Sequence, residues 1–351
     1  MQLLMKGNEA IAEAAVRAGC RYFFGYPITP QNQIPEYFSH RMPAVGGCYL
    51  QAESEIAAIN MVYGAASAGA RVMTSSSSPG ISLKQEGISY LCGARLPCVV
   101  VNIMRGGPGL GGIQPGQADY YQATRGGGNG DYRTIVFAPA TVQESADLTY
   151  EAFELADKYR MPVIILGDGF LGQMMEPVEL PAELPLDKLP PKPWAASGHG
   201  GKRPRNIINS LFLDPALLEK HNVMLHDMYN EIPARAVCEQ TEDAEIVLAA
   251  YGMTARVARS AMISAREQGI RAGLIRPITV WPFPDYAFDS VCNSGIAKHV
   301  LCTEMSQGQM LDDVKLAVNG RLPVTFHGRS GGLVPSAEDL LEEIKKIKEA
   351  I

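Results

Sequence analysis

From residue 8 to residue 166 the chain alternates short apolar runs with segments of helical period, and this alternation is the strongest constraint on its fold. Helices are expected over 8–17, 53–68, 81–92 and 141–159. Strands are expected over 22–24, 48–51, 71–74, 97–104, 135–138 and 161–166. Successive strands joined by helices are most economically one parallel sheet with helices on both faces. The run 97–104 is apolar on both faces, so it belongs near the sheet's centre. Gly19 and Gly69 are helix stops, and Thr141 with Glu144 has capping-box spacing.

Residues 176–204 break the pattern. They hold seven prolines between Pro177 and Pro204, together with Gly198, Gly200 and Gly201, a composition that predicts no regular structure. A helix over 214–229 follows. Strands at 245–251, 272–275, 299–303 and 323–326 then alternate with helices at 254–268 and 309–318, and Ser336 caps a last amphipathic helix. The expected organisation is an α/β domain over 1–177, a linker and helical connection over 178–240, and a second α/β domain over 241–351.

Charge and composition exclude several function classes. The formal net charge is -6 and no basic stripe is present, which argues against nucleic acid as a partner. No run reaches the roughly 18 apolar residues of a membrane span. The apolar stretch near Met1 is too short for a signal peptide, so a cytoplasmic chain is expected. None of the seven cysteines forms a C-x-x-C pair, and their spacing fits neither zinc nor an iron–sulfur cluster. No metal site is expected in this chain.

Four features fall at the carboxyl ends of first-domain strands, where open α/β sheets bind ligands. The first is Gly25-Tyr26-Pro27-Ile28-Thr29-Pro30. Its prolines hold Tyr26 and Thr29 extended, presenting the Thr29 hydroxyl, although a merely rigid turn reads the same way. The second is Glu55, either a solvated partner of the helix dipole or, at the edge of the apolar face begun by Ile56, a carboxylate in a dry site. The third is Ser75-Ser76-Ser77-Ser78-Pro79-Gly80, small enough for close approach of a ligand or another backbone. The fourth is Arg105, which could terminate the sheet in an ion pair or grip a small carboxylate.

Two further motifs carry less. Gly107, Gly109 and Gly112 match G-x-G-x-x-G, but Gln114-Pro115-Gly116 leaves no helix opening on the third glycine, as a dinucleotide pyrophosphate requires. Gly167-Asp168-Gly169 has the opening of a thiamine diphosphate–magnesium motif without the Asn pair expected downstream. A second glycine-rich loop spans 126–130.

The motif 25–30, the run Ala52-Glu53-Ser54-Glu55-Ile56-Ala57-Ala58 and the run Asn102-Ile103-Met104-Arg105-Gly106-Gly107-Pro108 together resemble the alpha-type subunit of 2-oxoacid:ferredoxin oxidoreductases. Residues 276–284 and 304–310 resemble the same family's second domain. The resemblance implies a pyrimidine-binding (Pyr-type) thiamine diphosphate domain followed by a transketolase C-terminal-like α/β domain. Residues 109–115 and 127–133 look most like the branched-chain type, which converts 2-oxoisovalerate (3-methyl-2-oxobutanoate) with coenzyme A to acyl-CoA, CO₂ and reduced ferredoxin. The same reaction on 2-oxoglutarate or pyruvate is the near alternative. A nicotinamide-dependent dehydrogenase and a non-catalytic scaffold subunit are the distant ones.

The resemblance also implies roles. Glu55 would hydrogen-bond N1′ of the cofactor's aminopyrimidine, with Tyr26, Pro27 and Ser77 beside the cofactor. Thr29 and Arg105 would bind the 2-oxoacid. A beta-type subunit would hold Mg²⁺ and the diphosphate, and a gamma-type subunit and a ferredoxin-like iron–sulfur subunit would complete a hetero-oligomer.

Overall fold

The computed structural model describes residues 2–351. The first part of the chain runs β1 (Gln2–Lys6), α1 (Gly7–Arg17), β2 (Tyr22–Gly25), α2 (Gln33–Ala44), β3 (Cys48–Gln51), α3 (Glu55–Ser67), β4 (Val72–Ser76), α4 (Pro79–Gly93), β5 (Cys98–Met104), α5 (Tyr120–Arg125), β6 (Ile135–Phe137), α6 (Val142–Tyr159), β7 (Pro162–Asp168), α7 (Gly169–Gln173) and β8 (Met175–Glu179). The second part runs α8 (Pro215–Tyr229), β9 (Ala236–Glu239), β10 (Ile246–Ala249), α9 (Gly252–Glu267), β11 (Ala272–Pro277), β12 (Thr279–Trp281), α10 (Asp285–Asn293), β13 (His299–Glu304), α11 (Gln309–Val318), β14 (Val324–Gly328) and α12 (Ala337–Ala350).

The seven-stranded sheet has the order β12-β6-β7-β5-β4-β2-β3, parallel except at β12. The run expected near the centre is there: every residue of β5 is buried. Thr141 caps α6 as its spacing predicts, accepting from the Glu144 amide at 3.0 Å. The Glu144 carboxylate reaches back one residue further, to the Ala140 amide at 2.9 Å. Alanines let α1 lie between the sheet and its neighbouring helices, with Ala10, Ala12, Ala14 and Ala15 fully buried.

The second sheet has the order β14-β13-β10-β11-β9, with only β9 antiparallel. Two polar residues bolt the units together. Gln117 is fully buried and accepts from Thr254 Oγ1 at 2.7 Å and the Met305 amide at 2.8 Å, while its Nε2 donates to the Tyr251 carbonyl at 3.0 Å. Asp168 Oδ1 accepts from the Phe170 and Leu171 amides, capping α7, and the carboxylate also takes the Met253 amide at the head of α9. Among the described residues no helix is long and apolar enough to cross a membrane.

Several expectations need correction. The stretch 176–204 is not wholly irregular, because β8 runs through Pro177 and pairs with β1 in a two-stranded antiparallel ribbon. A ribbon strand tolerates Pro where its nitrogen faces away from the partner. Helix α2 is not among the expected helices, and it holds Pro35 and Pro43. Pro35 lies in the first turn, where no intrahelical acceptor is lost, and Pro43 is the next-to-last residue. The boundary at 241 does not divide the sheets: β9 is the edge of the second sheet, and β12 crosses back to cover the edge of the first. Helix α3 starts at Glu55 behind the cap residue Ser54, so the exposed Glu53 lies outside its first turn.

Candidate active site

Strands β3, β2, β4 and β5 are neighbours, so the segments leaving their carboxyl ends converge. Thr29 follows β2, Glu55 follows β3, Ser77 and Ser78 follow β4, and Arg105 follows β5. The four features singled out in the sequence therefore share one mouth.

Glu55 is the first residue of α3. Ser54, extended, accepts from the Ala57 amide and turns the chain into the helix. The Glu55 side chain is only 6% exposed, and no donor among the described residues hydrogen-bonds to it. It rests against Gly80 in the first turn of α4. A Cβ at Gly80 would stand 2.6 Å from Glu55 Oε1 and would run into Ser76 Oγ. Only glycine leaves room for that carboxylate. Ser76 and Ser77 are fully buried, and neither hydroxyl has a hydrogen-bond partner. Buried hydroxyls are normally paired, so a carboxylate and two hydroxyls here stand ready for a polar ligand.

Arg105 is 6% exposed, but its fork is partly taken. Nη1 donates to the Thr29 carbonyl and Nη2 to the Leu110 carbonyl, each at 3.0 Å. Nε is buried without a partner. The guanidinium thus ties the glycine loop 106–112 to the loop after β2 and leaves Nε without a partner. The Gly106 amide bonds the Gln114 carbonyl at 2.9 Å, and the next helix begins only at Tyr120, so the G-x-G-x-x-G pattern belongs to a lid-like loop and opens no helix. The Thr29 hydroxyl accepts weakly from Asn32 Nδ2 at 3.4 Å and is half-buried, as is Tyr26; Pro27 is exposed. The second glycine loop lies elsewhere, on the flank of α4, where the Gly127 amide bonds Gln85.

Residues that sequence reasoning passed over complete the lining. Gln31 is buried and accepts from Ser75 Oγ at 2.5 Å. Asn102 sits in the apolar centre of β5, donating to Asp119 Oδ2 at 2.9 Å and accepting from the Ser78 amide. Ser78 Oγ donates to the same carboxylate at 2.6 Å, and burial raises the Asp119 pKa while these two bonds lower it. Lys84 is fully buried on α4. An Asn within an apolar strand and a Lys on an inward helix face were the available signals. Asp168 of the Gly167-Asp168-Gly169 run caps α7 and α9. Among the described residues no group of three His, Cys, Asp or Glu side chains could hold a metal ion.

A parallel sheet whose strand ends gather a buried carboxylate without a donor, two unpaired hydroxyls and an unpaired guanidinium nitrogen defines an α/β protein with a candidate polar-ligand site at the ends of its strands. Sequence comparison then places it: the chain belongs to the pyruvate flavodoxin/ferredoxin oxidoreductase family, with the thiamine diphosphate-binding domain matched over residues 13–242 and core domain II over 244–340. It is 50% identical over 347 residues to the ketoisovalerate oxidoreductase subunit VorB of Methanothermobacter thermautotrophicus, covering 98% of this chain and 97% of that one. It is 37% identical over 362 residues to the 2-oxoglutarate synthase subunit KorA of Methanocaldococcus jannaschii, covering 96% and 97%.

Among solved structures, 2-oxoglutarate:ferredoxin oxidoreductase from Magnetococcus marinus, with 2-oxoglutarate, coenzyme A and succinyl-CoA bound, superposes with a TM-score of 0.86 at 27% identity. The match covers 98% of this chain and 65% of that one. A split-gene transketolase shares the fold, with a TM-score of 0.63 at 14% identity. The chain is an alpha-type subunit of a 2-oxoacid:ferredoxin oxidoreductase, a thiamine diphosphate-dependent oxidoreductase.

Proposed function

We propose that this subunit supplies the pyrimidine-binding half of a thiamine diphosphate site in the oxidative decarboxylation of a branched-chain 2-oxoacid, 2-oxoisovalerate, to acyl-CoA. The observation that carries this reading is Glu55, buried at the head of α3 with no donor of its own, in a pocket that only a glycine at position 80 leaves open. A carboxylate so placed needs a partner, and a ring nitrogen that can hold a proton is one. The unpaired Ser76 and Ser77 hydroxyls suit a polar heterocycle beside it. The cofactor, when bound, supplies the carbanion chemistry that lets a 2-oxoacid lose CO₂.

This chain's residues then bind and orient. Glu55 holds a proton at N1′ of the pyrimidine. Tyr26, Pro27 and Ser77 would lie beside the cofactor. The free Nε of Arg105 takes one oxygen of the substrate carboxylate, and the Thr29 hydroxyl takes its carbonyl or carboxylate. The glycine loop, tied down by Arg105, excludes water from the mouth. That loop suits a branched alkyl chain: residues 106–116 carry no charge, and Leu110 and Ile113 are exposed on it. A second carboxylate, as in 2-oxoglutarate, would find no cation in this stretch. The higher identity to ketoisovalerate subunits points the same way.

Diphosphate and Mg²⁺ are assigned to a beta-type partner, iron–sulfur clusters to a ferredoxin-like partner, and a gamma-type subunit completes the assembly. The test is to purify the complex with its natural partners and assay 2-oxoisovalerate, 2-oxoglutarate and pyruvate with coenzyme A and a viologen dye. The highest kcat/KM is expected for 2-oxoisovalerate; preference for another acid overturns the substrate assignment. The separated chain should carry thiols but no stoichiometric iron, and acid-labile sulfide on it would overturn the division of cofactors.

A further inference from the structure

Helix α4 carries Gly80, Lys84 and Gly87 at helical spacing. Gly80 lies against the Glu55 carboxylate, and Gly87 against Ile59, one turn further along α3. The two helices therefore run side by side, and Lys84 falls on α4 between those two close approaches and reaches down to β4. Its side chain is fully buried. Nζ donates to Thr74 Oγ1 at 2.5 Å and to the Ser75 carbonyl at 3.2 Å, both on the strand beneath the site. These are neutral acceptors, and among the described residues no carboxylate lies within ion-pair distance of Nζ. Fully buried unpaired lysines are rare because desolvating the ammonium is costly. The packing alone needs only a long apolar side chain.

The ionisable groups facing Lys84 are Glu55 from α3 and Cys98 from β5. Burial pushes the Cys98 thiol up to about 12, so it stays neutral. Glu55 is thus the one charge Lys84 can act upon. Resting on the assignment of Glu55 above, we propose that Lys84 is a positioning residue for the proton at Glu55: its buried ammonium favours the Glu55 carboxylate and so drives the shared proton onto N1′ of the bound pyrimidine. Burial lowers the Lys84 pKa to about 7 against the opposing pull of Glu55, so the ammonium is present below that pH and lost above it.

The experiment uses the assembled complex. Thiamine diphosphate with Mg²⁺ is titrated calorimetrically at pH 6 in buffers of different ionisation enthalpy, which counts protons taken up on binding. Lys84→Met should take up a different number of protons from the unaltered enzyme, by up to about one, because the buried charge facing Glu55 is gone. It should also lower kcat roughly 10- to 100-fold and remove the alkaline fall in kcat near pH 7. In a Glu55→Gln background the same change should cost little more, since Lys84 acts through Glu55. Lys84→Gln, which keeps a donor for Thr74 without the charge, should behave alike and stands in if the Met variant does not fold. An unchanged proton count with only weaker cofactor affinity, or full additivity with Glu55→Gln, overturns the proposal. Failure of the unaltered complex to bind thiamine diphosphate would instead overturn the reading of Glu55 itself.

Discussion

Arg105 donates from Nη1 to the carbonyl of Thr29 at 3.0 Å, tying the end of β5 to the proline-stiffened loop after β2. One guanidinium thus holds that loop and the glycine loop through Leu110, and keeps one buried donor unpaired. Lysine cannot make three divergent bonds from one planar group. Arg105→Lys should lower kcat/KM for the 2-oxoacid about 10- to 100-fold, mainly through KM, as expected for loss of a charge-assisted bond worth about 1.5–3 kcal/mol. Cofactor affinity should hold. Steady-state kinetics beside a cofactor titration decide it: lower affinity with unchanged KM would remove Arg105 from the substrate site.

Glu55→Gln keeps the size and one hydrogen bond but cannot share a proton. Turnover in the complex should fall about 10²- to 10⁴-fold, with assembly intact by size-exclusion chromatography. Glu53→Gln should be nearly silent, because Glu53 is exposed ahead of the helix cap. If the two effects were reversed, the register of the motif would be misassigned.

Gly80→Ala tests the close approach that makes the pocket. The added methyl must displace the Glu55 carboxylate or the Ser76 hydroxyl. Alanine is the better helix former by about 1 kcal/mol, so a gain or small change in thermal stability together with loss of cofactor binding marks the glycine as functional. Normal cofactor affinity in this variant would mean the carboxylate does not face the ligand from that position.

Burial raises the Asp168 pKa from 3.8 to about 6, with its backbone hydrogen bonds opposing the rise. The folded form therefore holds this proton more tightly than the unfolded chain. Its stabilising effect is complete below about pH 4 and is lost as the pH rises through about 6. A shift of that size corresponds to about 3 kcal/mol at most. Relative to the unaltered protein, Asp168→Asn should gain stability between pH 4 and pH 7, read as the difference in Tm across that range. A constant difference would show that Asp168 does not titrate there.

Much of the site could be read before any coordinates. Ser54 ahead of Glu55 and the apolar positions Ile59 and Val62 behind it place a carboxylate at the head of a helix with a buried face, because capping and periodicity act within a turn or two of chain. The two prolines around Ile28 and Thr29 set the exit from β2 by their own ring geometry. The double-sided apolar run of β5 put Arg105 at the end of a central strand. What stayed hidden were the partners of buried polar groups. Asn102 bonds Asp119 seventeen residues away, and Gln117 bonds Met305 at a separation of 188. The fork of Arg105 was legible as a residue, but its occupation by the Thr29 and Leu110 carbonyls was not. Lys84 could be placed on an inward helix face, but its acceptors, Thr74 and the Ser75 carbonyl, lie on another element ten and nine residues back. Local periodicity determined which segments became strands and helices. Strand order and the close approach of α4 to α3 at Gly80 and Gly87 decided which polar atoms met in the dark between them, since a buried donor takes its acceptor from whatever the packing brings near and not from its neighbours in sequence.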